Sequence, residues 1–109
     1  MTVENFVSLS GFEVLSMPTP NAEVDGAYVG DLLSWVMGKA SEGNIWITIM
    51  TNVNVVAVAM LREISAIVLA EGVEIEDEVI EQAHLKGVNV LRTPLASYAA
   101  AIKISEIIQ

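Results

Sequence analysis

The sequence contains the segment Ile45-Trp46-Ile47-Thr48-Ile49-Met50, in which nearly every side chain is β-branched or aromatic. A segment this short and this apolar predicts a central β-strand that is buried on both faces. Thr51 or Asn52, directly after it, can cap a helix. The inward side chains of that helix are predicted to be Val53, Val56, Ala57, Met60 and Leu61. This part of the chain therefore predicts a strand followed by a helix.

Two more strand-to-helix units follow at a spacing of about 22 residues. The apolar run 65–70 predicts a buried strand, and residues 76–86 predict a helix with acidic side chains in its first turn. Residues 88–91 predict the next strand, and Thr93 with Pro94 has the pattern of a helix start. Three such units predict an α/β fold of three layers, with a mostly parallel sheet and helices on both faces.

The amino-terminal part of the chain contains shorter elements. The pattern predicts a helix over 3–9, a strand over 12–16, a loop over 17–23, a strand over 27–29 and a helix from 31 to about 39. The apolar stripe of that last helix consists of Leu32, Leu33, Val36, Met37 and Ala40. Trp35 lies off the stripe, so it either anchors a protein interface or packs beneath the loop 17–23.

The length of 109 residues predicts one domain, residues 1–109. The apolar fraction is 53%, above the roughly 45–50% of an ordinary soluble chain. A small protein this apolar is expected to bury part of its surface in a partner, and a homodimer is the simplest case.

The charge balance is 14 acidic against 5 basic residues, a net charge of −9. Such a chain repels nucleic acid and anionic membrane surfaces, so neither is an expected partner. The chain has no cysteine, which fits a reducing compartment, and its first residues do not resemble a secretion signal. We therefore expect a cytoplasmic protein.

The residues that could carry chemistry are few. His84 is the only histidine, and no nucleophile motif accompanies it, so no catalytic residue is predicted and His84 is expected to be dispensable. The acidic segment 71–81 matches no calcium loop and is explained by the helix macrodipole, so neither a metal nor a cofactor is predicted. Gly26 and Gly30 precede a helix as in a phosphate-binding turn, but Asp31 would repel a phosphate.

The candidate binding site is inferred from where residues lie in the predicted sheet. In a parallel α/β sheet, ligands gather beyond the carboxyl ends of the strands, where the amino termini of helices point. The predicted ligand-binding residues there are Thr51, Asn52, Gly72 and Thr93. Their hydroxyl, amide and backbone N–H groups suit a small polar or anionic ligand, although each is explained equally well as a helix cap.

Four segments together resemble a stand-alone DRTGG domain. They are the runs 26–37, 44–48, 54–59 and 91–95, with the strings Gly-Asp-Leu-Leu-Ser, Trp-Ile-Thr and Thr-Pro within them. The namesake string is not present verbatim, and the nearest glycine turn is Val24-Asp25-Gly26-Ala27. The resemblance implies a three-layer α/β fold similar to the amino-terminal domain of HPr kinase/phosphorylase, a tendency to dimerise, and a place beside regulatory CBS domains in related proteins. It implies no activity and no cofactor.

Two functions follow from these observations. The first is a noncatalytic regulatory or interaction module, homodimeric, that acts on a partner protein. The alternative is a sensor of a small ligand, such as a nucleotide or phosphometabolite, that uses the crevice at the strand ends. A hydrolase is disfavoured, because the chain has neither a second histidine nor a cysteine.

Overall fold

A computed structural model describes residues 1–108. The elements in chain order are α1 (Val3–Ser10), β1 (Glu13–Ser16), β2 (Ala27–Val29), α2 (Leu33–Lys39), β3 (Ile45–Thr48), α3 (Val53–Leu61), β4 (Ala66–Leu69), α4 (Asp77–Leu85), β5 (Val90–Arg92) and α5 (Ser97–Ile107). The predicted α/β fold is confirmed, because five helices surround one five-stranded sheet.

The sheet has the strand order β1-β5-β4-β3-β2. The strands β2 to β5 are neighbours in chain order and run parallel, whereas β1 pairs with β5 in the antiparallel direction. Each parallel connection contains one helix and steps to the next strand in the same direction along the sheet. Because such crossovers share one hand, α2, α3 and α4 are placed on the same face.

Helices cover both faces, which gives the three predicted layers. On one face, α2, α3 and α4 pack against strand side chains that include Trp46 and Ile67. On the other face, α1 and α5 pack against the alternate side chains, among them Ile45 and Val68. The central strands β3 and β4 are buried at every position, as the apolar runs predict.

Two predicted helix starts are wrong. The helix α5 begins at Ser97, and its N-cap Ala96 lies three residues after the predicted cap Thr93. The segment 93–95 is instead paired with the β4–α4 connection. The N–H of Thr93 donates to the carbonyl of Leu69, and the carbonyls of Thr93 and Leu95 accept from the N–H groups of Gly72 and Glu71. This pairing holds residues 93–95 beside that connection, so the helix begins only after them. The helix α2 begins at Leu33 rather than at Asp31.

The predicted inward faces of two helices, α2 and α3, are wrong in part. In α3 the buried residues are Val55, Val56, Val58 and Ala59, so Val53, Met60 and Leu61 are exposed instead. On α2, Leu32 and Met37 are exposed although Val36 and Ala40 are buried as predicted. On α5, Tyr98 and Ile102 are exposed, and Ala100 with Ile104 faces the sheet.

Candidate functional site

The carboxyl ends of β3, β4 and β5 lie at one edge of the sheet, because these strands are parallel neighbours. We call this the carboxyl edge. Thr51 and Asn52 follow β3, Gly72 follows β4 and Thr93 follows β5, so the structure places all four predicted residues at this edge. It brings them together only as two pairs, which have different surroundings.

Gly72 and Thr93 close the gap between β4 and β5. The chain leaves β4 toward α4 on one face and leaves β5 toward α5 on the other, which is where a crevice is expected in an α/β sheet. Here the N–H of Gly72 donates to the carbonyl of Thr93 at 2.9 Å, and the N–H of Glu71 donates to the carbonyl of Leu95 at 2.8 Å. These bonds continue the strand pairing and fill the expected crevice with backbone.

Thr51 and Asn52 line an open groove of about 760 Å³ on the same face as α3 and α4. Asn52 caps α3, and its side-chain oxygen accepts from the N–H of Asn54 at 2.9 Å. The opposite wall is built by the β4–α4 connection and the first turns of α4. The remaining residues that line the groove are Val53, Glu74, Ile75, Glu76, Glu78, Val79 and Gln82.

The groove is acidic. Glu74, Glu76 and Glu78 all border it, and all three side chains are exposed. No lysine or arginine lines the groove. Its negative charge opposes the helix-terminus attraction that would favour an anion at Asn52. The groove therefore suits a neutral or cationic group better than the small anionic ligand that the hydroxyls and amide suggested.

Asp31 is a structural residue of this edge that the sequence interpretation missed. Its Oδ1 accepts from the hydroxyl of Thr48 at 2.7 Å and from the N–H of Ile49 at 3.0 Å. The Thr48 hydroxyl oxygen in turn accepts from the N–H of Met50. Asp31 therefore ties the end of β2 to the end of β3 and ends β3 two residues earlier than predicted. A polar residue two positions after the edge strand was the available signal.

Trp35 is 58% exposed, so it is not buried beneath the loop 17–23. The ammonium of Lys39, one turn later on α2, lies 5.1 Å from the centre of the Trp35 ring. His84 is exposed near the end of α4 and lies outside the groove. Neither residue contributes to the carboxyl edge.

A second acidic cluster lies at the opposite edge of the sheet, around a cavity of about 350 Å³. It contains Glu23, Asp25, Glu42 and Glu63. A side-chain hydrogen bond with Glu63, and then repulsion between the two like charges, raises the pKa of Glu42 above its ordinary value. Within residues 1–108, no group of three or more histidine or acidic side chains is arranged to hold a metal ion.

Arg92 joins the two outer strands at the β1 side of the sheet. Its guanidinium donates to both carboxylate oxygens of Glu13, at 2.9 and 3.1 Å, across the antiparallel pair β1–β5. The same bonds lower the pKa of Glu13 below its ordinary value. Arg92 also donates to the carbonyl of Val73 and so holds the start of the β4–α4 connection.

Across the described residues, no helix is long and apolar enough to cross a membrane.

Comparison with known proteins connects this fold to a family. The chain is similar to the crystal structure of the CBS and DRTGG domains of the regulatory region of Clostridium perfringens pyrophosphatase, complexed with the activator diadenosine tetraphosphate. The TM-score is 0.75 at 20% sequence identity, and the match covers 94% of this chain and 45% of that one. The chain thus spans less than half the length of that structure, and the likeness concerns the fold. No curated protein matches the sequence significantly.

The sequence itself also matches a family model over most of its length. The model describes the DRTGG domain, and the match extends from residue 14 to residue 107. It includes every strand of the sheet except the first residue of β1, and every helix except α1. The chain therefore belongs to the DRTGG domain family.

Proposed function

We propose that the chain is a noncatalytic regulatory module that forms a homodimer and acts on a partner protein. The observation that carries this proposal is its exposed apolar surface. Across residues 1–108, fourteen large hydrophobic side chains are exposed, among them Trp35 and Tyr98. Isolated exposed hydrophobic residues are ordinary, but six of these lie on or beside the adjacent helices α2 and α3, namely Leu32, Trp35, Met37, Val53, Met60 and Leu61. An apolar surface on two adjacent helices favours contact with protein.

Membership of the DRTGG family supports a regulatory role, since the structural neighbour carries this domain in the regulatory region of a pyrophosphatase. The likeness to the amino-terminal domain of HPr kinase/phosphorylase stays a prediction. The net charge of −9 indicates that the surface of the regulated protein is basic where the two meet. Such complementary charge would speed association, and its effect would decrease with added salt.

A small-ligand sensor is the second candidate, and one observation favours it. The neighbour binds diadenosine tetraphosphate, and the groove beside Asn52 has a volume typical of small-molecule sites. The carboxylates of Glu74, Glu76 and Glu78 count against a polyphosphate there, because like charges repel. We therefore rank the sensor below the interaction module.

Two measurements test the proposal. Sedimentation equilibrium at micromolar concentration is expected to give the mass of a dimer, and a monomer mass in both low and high salt would contradict it. A ligand that binds only the folded state must raise the melting temperature. Since the interaction module is not expected to bind a nucleotide, diadenosine tetraphosphate and ATP should leave the melting temperature unchanged. A rise that saturates with concentration would favour the sensor instead.

A further inference from the structure

The helix α3 is apolar apart from one exposed polar residue in its first turn, Asn54. Its sequence is VNVVAVAML, and no charged residue occurs anywhere from Gly43 to Leu61. Its inward side packs Val55, Val56 and Ala59 into the core. Its outward side carries Val53, Ala57, Met60 and Leu61, which we call the α3 outer stripe. Three of these are large and substantially exposed: Val53 at 46%, Met60 at 43% and Leu61 at 64%.

The other surface helices do not share this pattern. The helix α4 presents Glu78 and Glu81 to solvent, and α5 presents Lys103 and Glu106. A helix that is hydrophobic all round is normally buried. The helix α3 is also the central one of its layer, between α2 and α4. Its outer stripe is therefore a surface that the folded monomer leaves uncovered.

We propose that the α3 outer stripe is the surface through which two copies of this chain associate. The inference rests on the proposed homodimer and assigns its interface. The stripe itself carries no charge, so two copies, each with a net charge of −9, can meet along Ala57, Met60 and Leu61 without pairing acidic side chains there. The acidic groove borders the stripe only at Val53. A foreign partner selected by complementary charge would find nothing to recognise on this surface.

The stripe is also complementary to itself. When two α3 helices pack antiparallel about a two-fold axis at Ala57, the Val53 side chain of one copy meets Leu61 of the other. Ala57 then meets its own counterpart, and its small side chain allows the helices to approach closely. The same residues are used on both copies, which is the defining property of a two-fold interface.

The area is adequate for a core of such an interface. From the exposed fractions of Val53, Met60 and Leu61, the apolar area is on the order of 300 Å², at the lower end for the largest patch on a typical monomer. A stable interface needs roughly 800 Å² from each copy, so the adjacent helix α2, which exposes Leu32, Trp35 and Met37, must supply much of the remainder.

A charge placed in the stripe is the first test. Met60→Glu and Ala57→Glu are expected to weaken dimerisation at least about tenfold in sedimentation equilibrium, because they bury an unpaired carboxylate in the interface. Ile102→Glu is the matched control, since Ile102 is an equally exposed apolar residue, at 44%, on α5. Circular dichroism and the melting temperature establish that each variant is folded.

A disulfide cross-link is the second test. Because the chain has no native cysteine, only the introduced residue can form a disulfide between two copies. With oxidised glutathione as the oxidant, Ala57→Cys is expected to form an intermolecular disulfide, whereas Ile102→Cys is not, because a disulfide requires the two Cα atoms to lie within about 7 Å. A dimer of wild-type strength in folded Met60→Glu and Ala57→Glu, or no cross-link through residue 57, would overturn the assignment while leaving the dimer itself in place. A dimer broken by Trp35→Ala alone would move the interface to α2. A monomeric wild type would overturn both this inference and the dimer in the proposed function.

Discussion

The backbone conformation of Gly72 helps to stabilise the carboxyl edge of the sheet. Its backbone has φ of +61°, a left-handed conformation that side chains with a Cβ atom rarely adopt. A Cβ atom added there would lie 3.6 Å from the Cα of Pro94, an ordinary contact. We therefore expect Gly72→Ala to destabilise the fold by about 1–2 kcal/mol through backbone strain alone.

Gly38 is the control for that substitution. It lies inside α2 with open space around its Cα and no left-handed conformation. Gly38→Ala should stabilise the protein by roughly 0.5–1 kcal/mol, because alanine is the better helix former. Urea denaturation measures both changes. Equal effects of the two substitutions would contradict the role assigned to the Gly72 backbone.

Glu42 and Glu63 form a repulsive pair whose effect depends on pH. The pKa of Glu42 is raised in the folded state, so folded protein binds its proton more readily than unfolded protein does. The penalty is present at neutral pH and disappears as pH falls through the raised pKa. Glu42→Gln should therefore raise the melting temperature at pH 7 and raise it less near pH 4. A gain that grows on acidification would show that the pair is not the cause.

The helices α3 and α5 differ in whether a side chain caps their amino termini. Asn52→Ala removes the side-chain acceptor for the N–H of Asn54 and should cost about 1 kcal/mol. The N-cap of α5 is Ala96, which has no side-chain acceptor, so Ala96→Ser should stabilise the helix by a similar amount. Thermal denaturation of both variants compares the two ends. No gain from Ala96→Ser would mean that α5 does not begin at Ser97.

Elements were predictable from sequence where burial alone decides them. The strands β3 and β4 are buried on both faces, so their apolar runs are unambiguous. The inward face of α3 was not predictable, because a helix that is apolar nearly all round has no periodic signal. The start of α5 depends on the pairing of Thr93 and Leu95 with the chain after β4, which is distant in sequence, rather than on the Thr-Pro pattern.

The candidate site was also predictable from sequence only in part. Parallel topology places Thr51, Asn52, Gly72 and Thr93 at one edge, and the topology follows from the repeated strand-to-helix units. The closure between Gly72 and Thr93 arises from pairing of two loops that are distant in sequence. The acidity of the groove was visible in the chain as Glu74, Glu76 and Glu78, but only the fold shows that they face Asn52.

The acidic side chains of the protein repel one another, so salt, which screens this repulsion, should make the folded protein more stable. The charge is −9, and the ion pairs found across residues 1–108 are two, Met1 with Glu23 and Arg92 with Glu13. Screening therefore removes many repulsive interactions and few attractive ones. We expect the melting temperature to rise between about 0.02 M and about 0.5 M sodium chloride, where the Debye length falls from roughly 20 Å to a few ångströms.

The same screening distinguishes two kinds of contact. An apolar dimer interface should tighten in salt, because only the repulsion between copies is screened, whereas docking on a basic partner should weaken. Calorimetry follows the melting temperature, and sedimentation in the same buffers follows the dimer. The Glu42→Gln variant, with one repulsive charge fewer, should gain less from salt than the wild type. A dimer that dissociates in salt would mean that charged groups, and not an apolar surface, hold the two copies together.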